Sequence, residues 1–190
     1  MTSFKSLPIE QFLTSLAAKQ PTPGGGAAAA ISAAVGTAAA KMAAEYTQRK
    51  KDKESGAAAK ATELLSSLDM SPLLRAADDD AAAYADLQRT WKEGDMPADE
   101  KDAIESRALA IPTSLLEECH AQIKQIHEFL PHCNPNITSD AKVGINLLAG
   151  AARAAYQTVL VNSPPAEEKM RLSKLLKEIR ELEDEILSLD

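Results

Sequence analysis

Four short stretches carry the side chains and backbone of this chain that can do chemistry. The first is Pro21-Thr22-Pro23-Gly24-Gly25-Gly26, followed by the alanine-rich run Ala27–Tyr46. Two prolines restrict φ, three glycines relax it, and a strong helix former then takes over. Bare amides at a helix N-terminus favour a carboxylate or phosphate; the same residues also suit a tight turn between packed helices. No Gly-Lys-Ser/Thr follows, which excludes a Walker loop, and no strand precedes, which excludes a dinucleotide fingerprint. The second stretch is Asp78-Asp79-Asp80 inside a helical segment. Successive residues turn by ~100°, so at least one carboxylate faces neighbouring helices unless the three form a solvated acidic face. No His stands three or four residues away, so no metal site is expected.

The third stretch is Asn134-Pro135-Asn136-Ile137-Thr138-Ser139-Asp140. Asn136, Thr138 or Ser139 can cap the helix that follows, with Asp140 in its first turn, where the helix dipole alone favours a carboxylate. The fourth is the cluster Arg49, Lys50, Lys51 and Lys53, the one basic group in an acidic chain. It reads either as the solvated C-terminal end of a helix or as a landing site for a polyanion. His120, His127 and His132 are expected at the surface.

The elements that must position these groups are helices. The chain has 190 residues, 45 % of them apolar but only 4 % aromatic, so its core is built from Ala, Leu, Ile and Val. Runs of alternating β-branched residues with hairpin turns are missing. One all-α domain spanning 1–190 is expected, an up-and-down bundle of long helices joined by two Pro/Gly/Asn-rich loops. Ile9, Phe12, Leu13 and Leu16 mark one stripe on a first helix, which Pro21 ends. A central helix runs from about Gly24 to Lys51. Ala28, Ile31, Val35, Ala39, Met42 and Tyr46 trace one seam of it, and Ser32, Gly36 and Ala40 allow close approach on another. So small a surface also suits burial against a second copy of the chain. Further helices follow over Gly56–Leu68, from an N-cap at Ser71-Pro72, from Pro97 with a kink at Pro112, and over Gly144–Val161. Residues 166–190 turn to Glu, Lys, Leu and Ile. Leu175, Ile179, Leu182, Ile186 and Leu189 there give a heptad seam on an amphipathic helix that packs on the bundle or on a partner.

The formal charge of −7 argues against nucleic acid as a partner. Cys119 and Cys133 make no disulfide framework and suit a reducing, cytoplasmic setting. Residues 1–5 lack the apolar core of a signal peptide. The stretch Gly24–Ala44 is long and nearly uncharged, but its Ala and Gly are weakly hydrophobic and Lys41 interrupts it; a buried helix, with no membrane involved, is expected.

Taken in order, Pro21–Gly26, Asp78-Asp79-Asp80-Ala81-Ala82-Ala83-Tyr84, Ala110-Ile111-Pro112, Asn134-Pro135-Asn136 with Ser139-Asp140, and Val161-Asn162 resemble the cyclodeaminase/cyclohydrolase family. That family comprises the cyclodeaminase part of formiminotransferase-cyclodeaminase and the stand-alone methenyltetrahydrofolate cyclohydrolases. The resemblance covers Leu7 to Asn162. It implies a helical homodimer with a tetrahydrofolate derivative as substrate, a site at the subunit interface, and neither metal nor other cofactor. Two departures stand out. Ala27 follows the glycines where a Ser is common, and Gln48-Arg49-Lys50-Lys51 only approximates a lysine-rich stretch.

By that resemblance the pterin lies near the two polar loops, against Thr22, Pro23, Gly24, Gly25 and Gly26 on one side and Asn134, Asn136 and Ser139 on the other. Lys50 and Lys51 then face the glutamate tail. Asp140, with Asp80 next, is the carboxylate that stabilises a delocalised cation and handles protons. The expected reaction converts 5-formiminotetrahydrofolate to 5,10-methenyltetrahydrofolate and ammonia. Hydrolysis of the methenyl bridge to 10-formyltetrahydrofolate is the alternative. A non-catalytic helical scaffold is a second alternative: Ala27 and the heptad tail favour it, and the two retained loops oppose it.

Overall fold

The computed structural model describes residues 3–93 and 95–187. Among these it contains eight α-helices and two short 3-10 turns, with no strand, which is the all-α architecture expected. The helices are α1 (Ile9–Ala17), α2 (Gly25–Glu45), α3 (Lys50–Ser55), α4 (Ala57–Ser67), α5 (Ser71–Lys92), α6 (Ala98–Phe129), α7 (Thr138–Val161) and α8 (Ala166–Leu187).

The centre is the pair α2 and α7, which run antiparallel and touch at glycines. A Cβ placed on Gly36 would lie 2.9 Å from the Gly144 carbonyl oxygen, and one on Gly144 would lie 2.8 Å from that of Gly36. Backbones this close leave no room for a side chain. Gly144→Ala is therefore expected to lose about 1–3 kcal/mol in urea unfolding through overpacking. Helix propensity alone predicts a gain of about 1 kcal/mol for the same change, so the sign of the result decides which effect rules.

Other helices close around this pair. Leu73, Leu115, Leu116, Ile123, Ile126, Ile145 and Leu148 are buried among the alanines of α2 and α7. Buried Gln122 of α6 accepts the Thr37 hydroxyl and donates to the Asp69 carbonyl and to Glu118, tying α6 to α2 and to the approach of α5. An unsatisfied amide here would cost about 1–3 kcal/mol, so these partners fix how the helices meet. Both cysteines are buried and unpaired.

Several boundaries differ from expectation. The central helix stops at Glu45, not Lys51. The Thr47 hydroxyl donates to the Ala43 carbonyl and accepts the Asn134 amide, which holds the chain away from a further helical turn. A new helix then begins at Lys50, with Arg49 as its N-cap, whose backbone N–H and guanidinium both reach Asp52 three residues on. The basic cluster therefore opens α3 rather than closing α2. Ser71 lies inside α5 rather than capping it, and its amide donates to Asp69. Of the stripe on α1, Phe12 is buried against Phe4, with ring centroids 6.2 Å apart, whereas Ile9 and Leu13 are exposed.

The last helix lies on α6 and α7 through Leu172, Ile179 and Ile186. Leu189 of the heptad falls outside the described residues. His120 and His127 are not free surface groups: each is half-buried under α8, with Nε2 2.9 Å from Glu178 and 3.1 Å from Glu185 respectively. Those partners lie 58 residues away, beyond the reach of local spacing. His132 is exposed.

Gly25–Glu45 is long and apolar enough to cross a membrane, with a mean hydropathy of 1.4, yet 56 % of that window is buried inside the bundle. The rest forms a bare stripe. Val35 (52 % exposed), Met42 and Tyr46 (61 %) lie on the anticipated α2 seam, with exposed Val143 on α7.

Candidate functional site

At one end of the α2–α7 pair, the glycine loop meets α5. Pro23 is buried after a cis peptide bond, Gly24 is extended, and α2 starts at Gly25. The Asp80 carboxylate lies over this helix start, accepting the Ala27 amide at 3.1 Å through Oδ2. A Cβ on Gly26 would overlap that carboxylate, so only glycine admits the approach. The same test at Gly24 and Gly25 meets nothing within 4 Å, which leaves their backbone open to a ligand.

The three adjacent aspartates face three ways, as ~100° per residue requires. Asp78 accepts the Ser3 hydroxyl and the Phe4 amide, both at 2.6 Å, and so anchors the N-terminal turn. Asp79 is exposed, 3.9 Å from Arg107. Asp80 alone reaches the glycine loop. Burial pushes its carboxyl above the ordinary 3.8, partly opposed by the Ala27 N–H, which favours the charged form. A half-buried carboxyl of raised pKa at a helix N-terminus can hold a cation or move a proton.

Asp80 also lines a cleft of about 320 Å³, together with Tyr84, Leu87 and Trp91 of α5, Glu105 and Ala108 of α6, Thr158 and Val161 of α7, and Asn162 and Ser163 just beyond it. Tyr84 and Trp91 meet edge to face, with centroids 6.1 Å apart, and form an aromatic wall at its rim. This size suits one planar heterocycle rather than a macromolecule. Tyr84, Trp91, Glu105 and Asn162 were not among the candidate residues. A signal existed, since Asp80, Tyr84, Leu87 and Trp91 recur at i, i+4, i+7 and i+11, one face of a helix.

The second polar loop sits at the other end of the bundle. Asn134 is buried and committed to structure: its Nδ2 donates to the Tyr46 carbonyl, its Oδ1 accepts the Asn136 amide, and its backbone amide donates to Thr47. It therefore joins this loop to the end of α2 and has little left for a ligand. None of the candidate residues caps α7 by its side chain; Ile137 is the N-cap, and Thr138 donates back to the Asn134 carbonyl. Asp140 is half-buried in the first turn and accepts the Ser139 hydroxyl at 3.3 Å. Asn136, Ser139, Lys50 and Lys51 are exposed. Among the cations beside this loop, Arg49 is held by Asp52, a pairing that lowers the Asp52 pKa and raises that of Arg49.

The candidate residues thus form two groups. Thr22 to Gly26 and Asp80 lie at the start of α2; Lys50, Lys51, Asn134, Asn136, Ser139 and Asp140 lie beyond its end. With 21 residues in α2 and 1.5 Å per residue, about 30 Å of helix separates them. Within the chain the two loops, and the carboxylates of Asp80 and Asp140, do not share a cleft. Among the described residues no three His, Cys, Asp or Glu side chains cluster as a metal site.

A helical bundle built on an alanine–glycine pair, with a half-buried carboxylate in a cleft at one end, defines an all-helical protein with a cleft of small-molecule size. Residues 8–181 match the family model described as formiminotransferase-cyclodeaminase, and the chain belongs to that family. Among solved structures, formiminotetrahydrofolate cyclodeaminase from Thermotoga maritima has the same fold, with a TM-score of 0.81 at 20 % identity over 95 % of this chain and 91 % of that one. Comparison with curated protein sequences gives no significant match.

Proposed function

We propose that this protein is a cytoplasmic formiminotetrahydrofolate cyclodeaminase. The observation that carries the reading is the Asp80 carboxylate, half-buried over the glycine-loop start of α2 in a cleft of pterin size, in a chain of this family. N10 of 5-formiminotetrahydrofolate attacks the amidinium carbon and a C–N bond forms. The N10 proton is lost and the former imino nitrogen is protonated. That nitrogen then leaves as ammonia, and the 5,10-methenyl cation remains. In this reading Asp80 is the carboxylate that offsets the positive charge on that carbon and relays the proton between the two nitrogens. The atoms balance without a metal or a second cofactor.

The active form is a two-fold homodimer paired through the bare stripe of Val35, Met42 and Tyr46 on α2 with Val143 on α7. A two-fold axis across α2 sets the helix antiparallel to its copy. The loop of Asn136, Ser139 and Asp140 from one chain then approaches the glycine loop and Asp80 of the other, with Lys50 and Lys51 near the glutamate tail. The split of the candidate residues between two ends of the protomer supports this arrangement, because each end is half of a site.

The test is to add 5-formiminotetrahydrofolate to the purified chain and follow the methenyl absorbance and released ammonia together. Equal amounts of both are expected. Neither product overturns the proposal, and consumption of added methenyltetrahydrofolate without ammonia chemistry assigns the hydrolase reaction instead.

A further inference from the structure

Two sequence features that the reaction as described does not use, Pro112 and Asn162, meet in the structure. Pro112 lies inside α6 and brings no N–H, so the carbonyl of Ala108 one turn earlier loses its helical donor. At the end of α7 the Thr158 carbonyl is also without its usual partner, because the Asn162 amide donates to Val159 instead. The side chain of Asn162 fills both positions. Its Nδ2 donates to Ala108 and to Thr158, each at 3.0 Å. Both partners are carbonyl oxygens, so the amide orientation is set by chemistry: nitrogen toward the protein, oxygen away.

Asn162 lines the Asp80 cleft. With both Nδ2 hydrogens committed, Oδ1 is the part of this amide left without a protein partner among the described residues. We infer that Asn162 Oδ1 is a substrate-recognition acceptor for the N–H donors of the pterin's aminopyrimidinone edge, and that Pro112 is the positioning residue that holds it in place. Together with the carboxylates of Asp80 and Glu105, it gives the cleft a set of acceptors matched to a heterocycle rich in N–H groups. An amide turned the other way would present donors and favour a different ligand. The proline in α6 therefore acts on specificity from outside the cleft, by freeing a carbonyl that aims a side chain on another helix. This inference rests on the folate reading above.

Trp91 is the single tryptophan of the chain and lines the same cleft, so its fluorescence reports occupancy without turnover. The probes are 5-formyltetrahydrofolate, which the proposed reaction does not consume, and its 2-desamino-2-methyl counterpart, which lacks the exocyclic donor. Wild type is expected to bind the first at least about tenfold more tightly than the second, since a site built around a hydrogen bond rejects a ligand that cannot make it. Asn162→Ala should weaken the parent ligand by about tenfold, the value of one such bond, and leave the desamino analogue nearly unchanged. Pro112→Ala restores an N–H to the Ala108 carbonyl. It should narrow the preference between the two ligands without lowering the melting temperature, because Ala is the better helix former. Equal weakening of both ligands by Asn162→Ala would make Asn162 a structural plug and overturn the inference. Discrimination unaffected by Pro112→Ala would remove Pro112's positioning role. Failure of wild type to bind 5-formyltetrahydrofolate at all would instead sink the folate reading itself.

Discussion

Asp80→Asn is expected to cut kcat by about 10²–10³-fold, the usual cost of removing a preorganised electrostatic group at a developing charge, while the protein keeps its fold and melts no lower than wild type near pH 7. The asparagine Oδ1 can still accept the Ala27 amide that now bonds Asp80 Oδ2 at 3.1 Å. What is lost is the charge, and with it, in the proposed mechanism, both the partner of the amidinium carbon and the proton relay.

The effect of pH separates catalysis from folding. Burial raises the Asp80 pKa above 3.8, so the folded state holds this proton more tightly than the unfolded chain. A group of that kind makes folding less favourable as pH rises through its folded pKa, and the penalty is absent below the unfolded value. At neutral pH the neutral asparagine is free of it. The variant should therefore melt at or above the wild-type temperature near pH 7 and lose this advantage in acid. Activity runs the other way. The wild-type kcat/KM should fall in acid as Asp80 takes up its proton, at a midpoint above the ordinary carboxylate value, and the residual activity of Asp80→Asn should lack that limb. A thermal melt and a pH–rate profile check both. An inactive variant that also melts lower, or an active one, would remove Asp80 from the proposed role.

The site was only partly legible in the sequence, because its geometry is set by long-range packing. Three adjacent aspartates in a helix pointed either to one carboxylate turned toward neighbouring helices or to a solvated acidic face, and did not say which residue would turn inward. The answer depends on where α5 crosses the start of α2, and on the absence of a Cβ at Gly26 to block Asp80. The helices themselves were readable, because alanine-rich runs between Pro/Gly punctuation have few other outcomes. Their ends were harder. The stop at Glu45 needs Asn134, which reaches Thr47 across 87 residues. The separation of the two polar loops needs the antiparallel pairing of α2 and α7, which the glycines Gly36 and Gly144 allow to pack closely and which no local pattern announces. The partners of His120 and His127 on α8 are long-range in the same way.

Mixing two inactive variants should restore activity, and this is the sharper test of the split site. Asp80 lies at the start of α2, and Asp140 stands beyond its other end, next to the Asn134 that is bonded to Tyr46. If each site takes Asp80 from one chain and Asp140 from the other, an Asp80→Asn homodimer and an Asp140→Asn homodimer are both reduced to residual activity. A heterodimer carries one site with both substitutions and one with neither. Exchange of equal amounts makes half the dimers mixed, each with one of two sites intact, so activity should return to about a quarter of wild type, as two-fold symmetry requires. Both variants should fold, since Asp140 contributes to α7 no more than a first-turn carboxylate does, about 0.3–1 kcal/mol. A charge in the bare stripe, Val35→Asp, should yield folded monomers by sedimentation and abolish the recovery. No recovery from exchanged dimers would confine the site to one chain, and full activity in Asp140→Asn would leave the α7 loop outside it. Recovery to a quarter has no account in a site held within one protomer, because the surviving chemistry must come from two chains that are each defective alone.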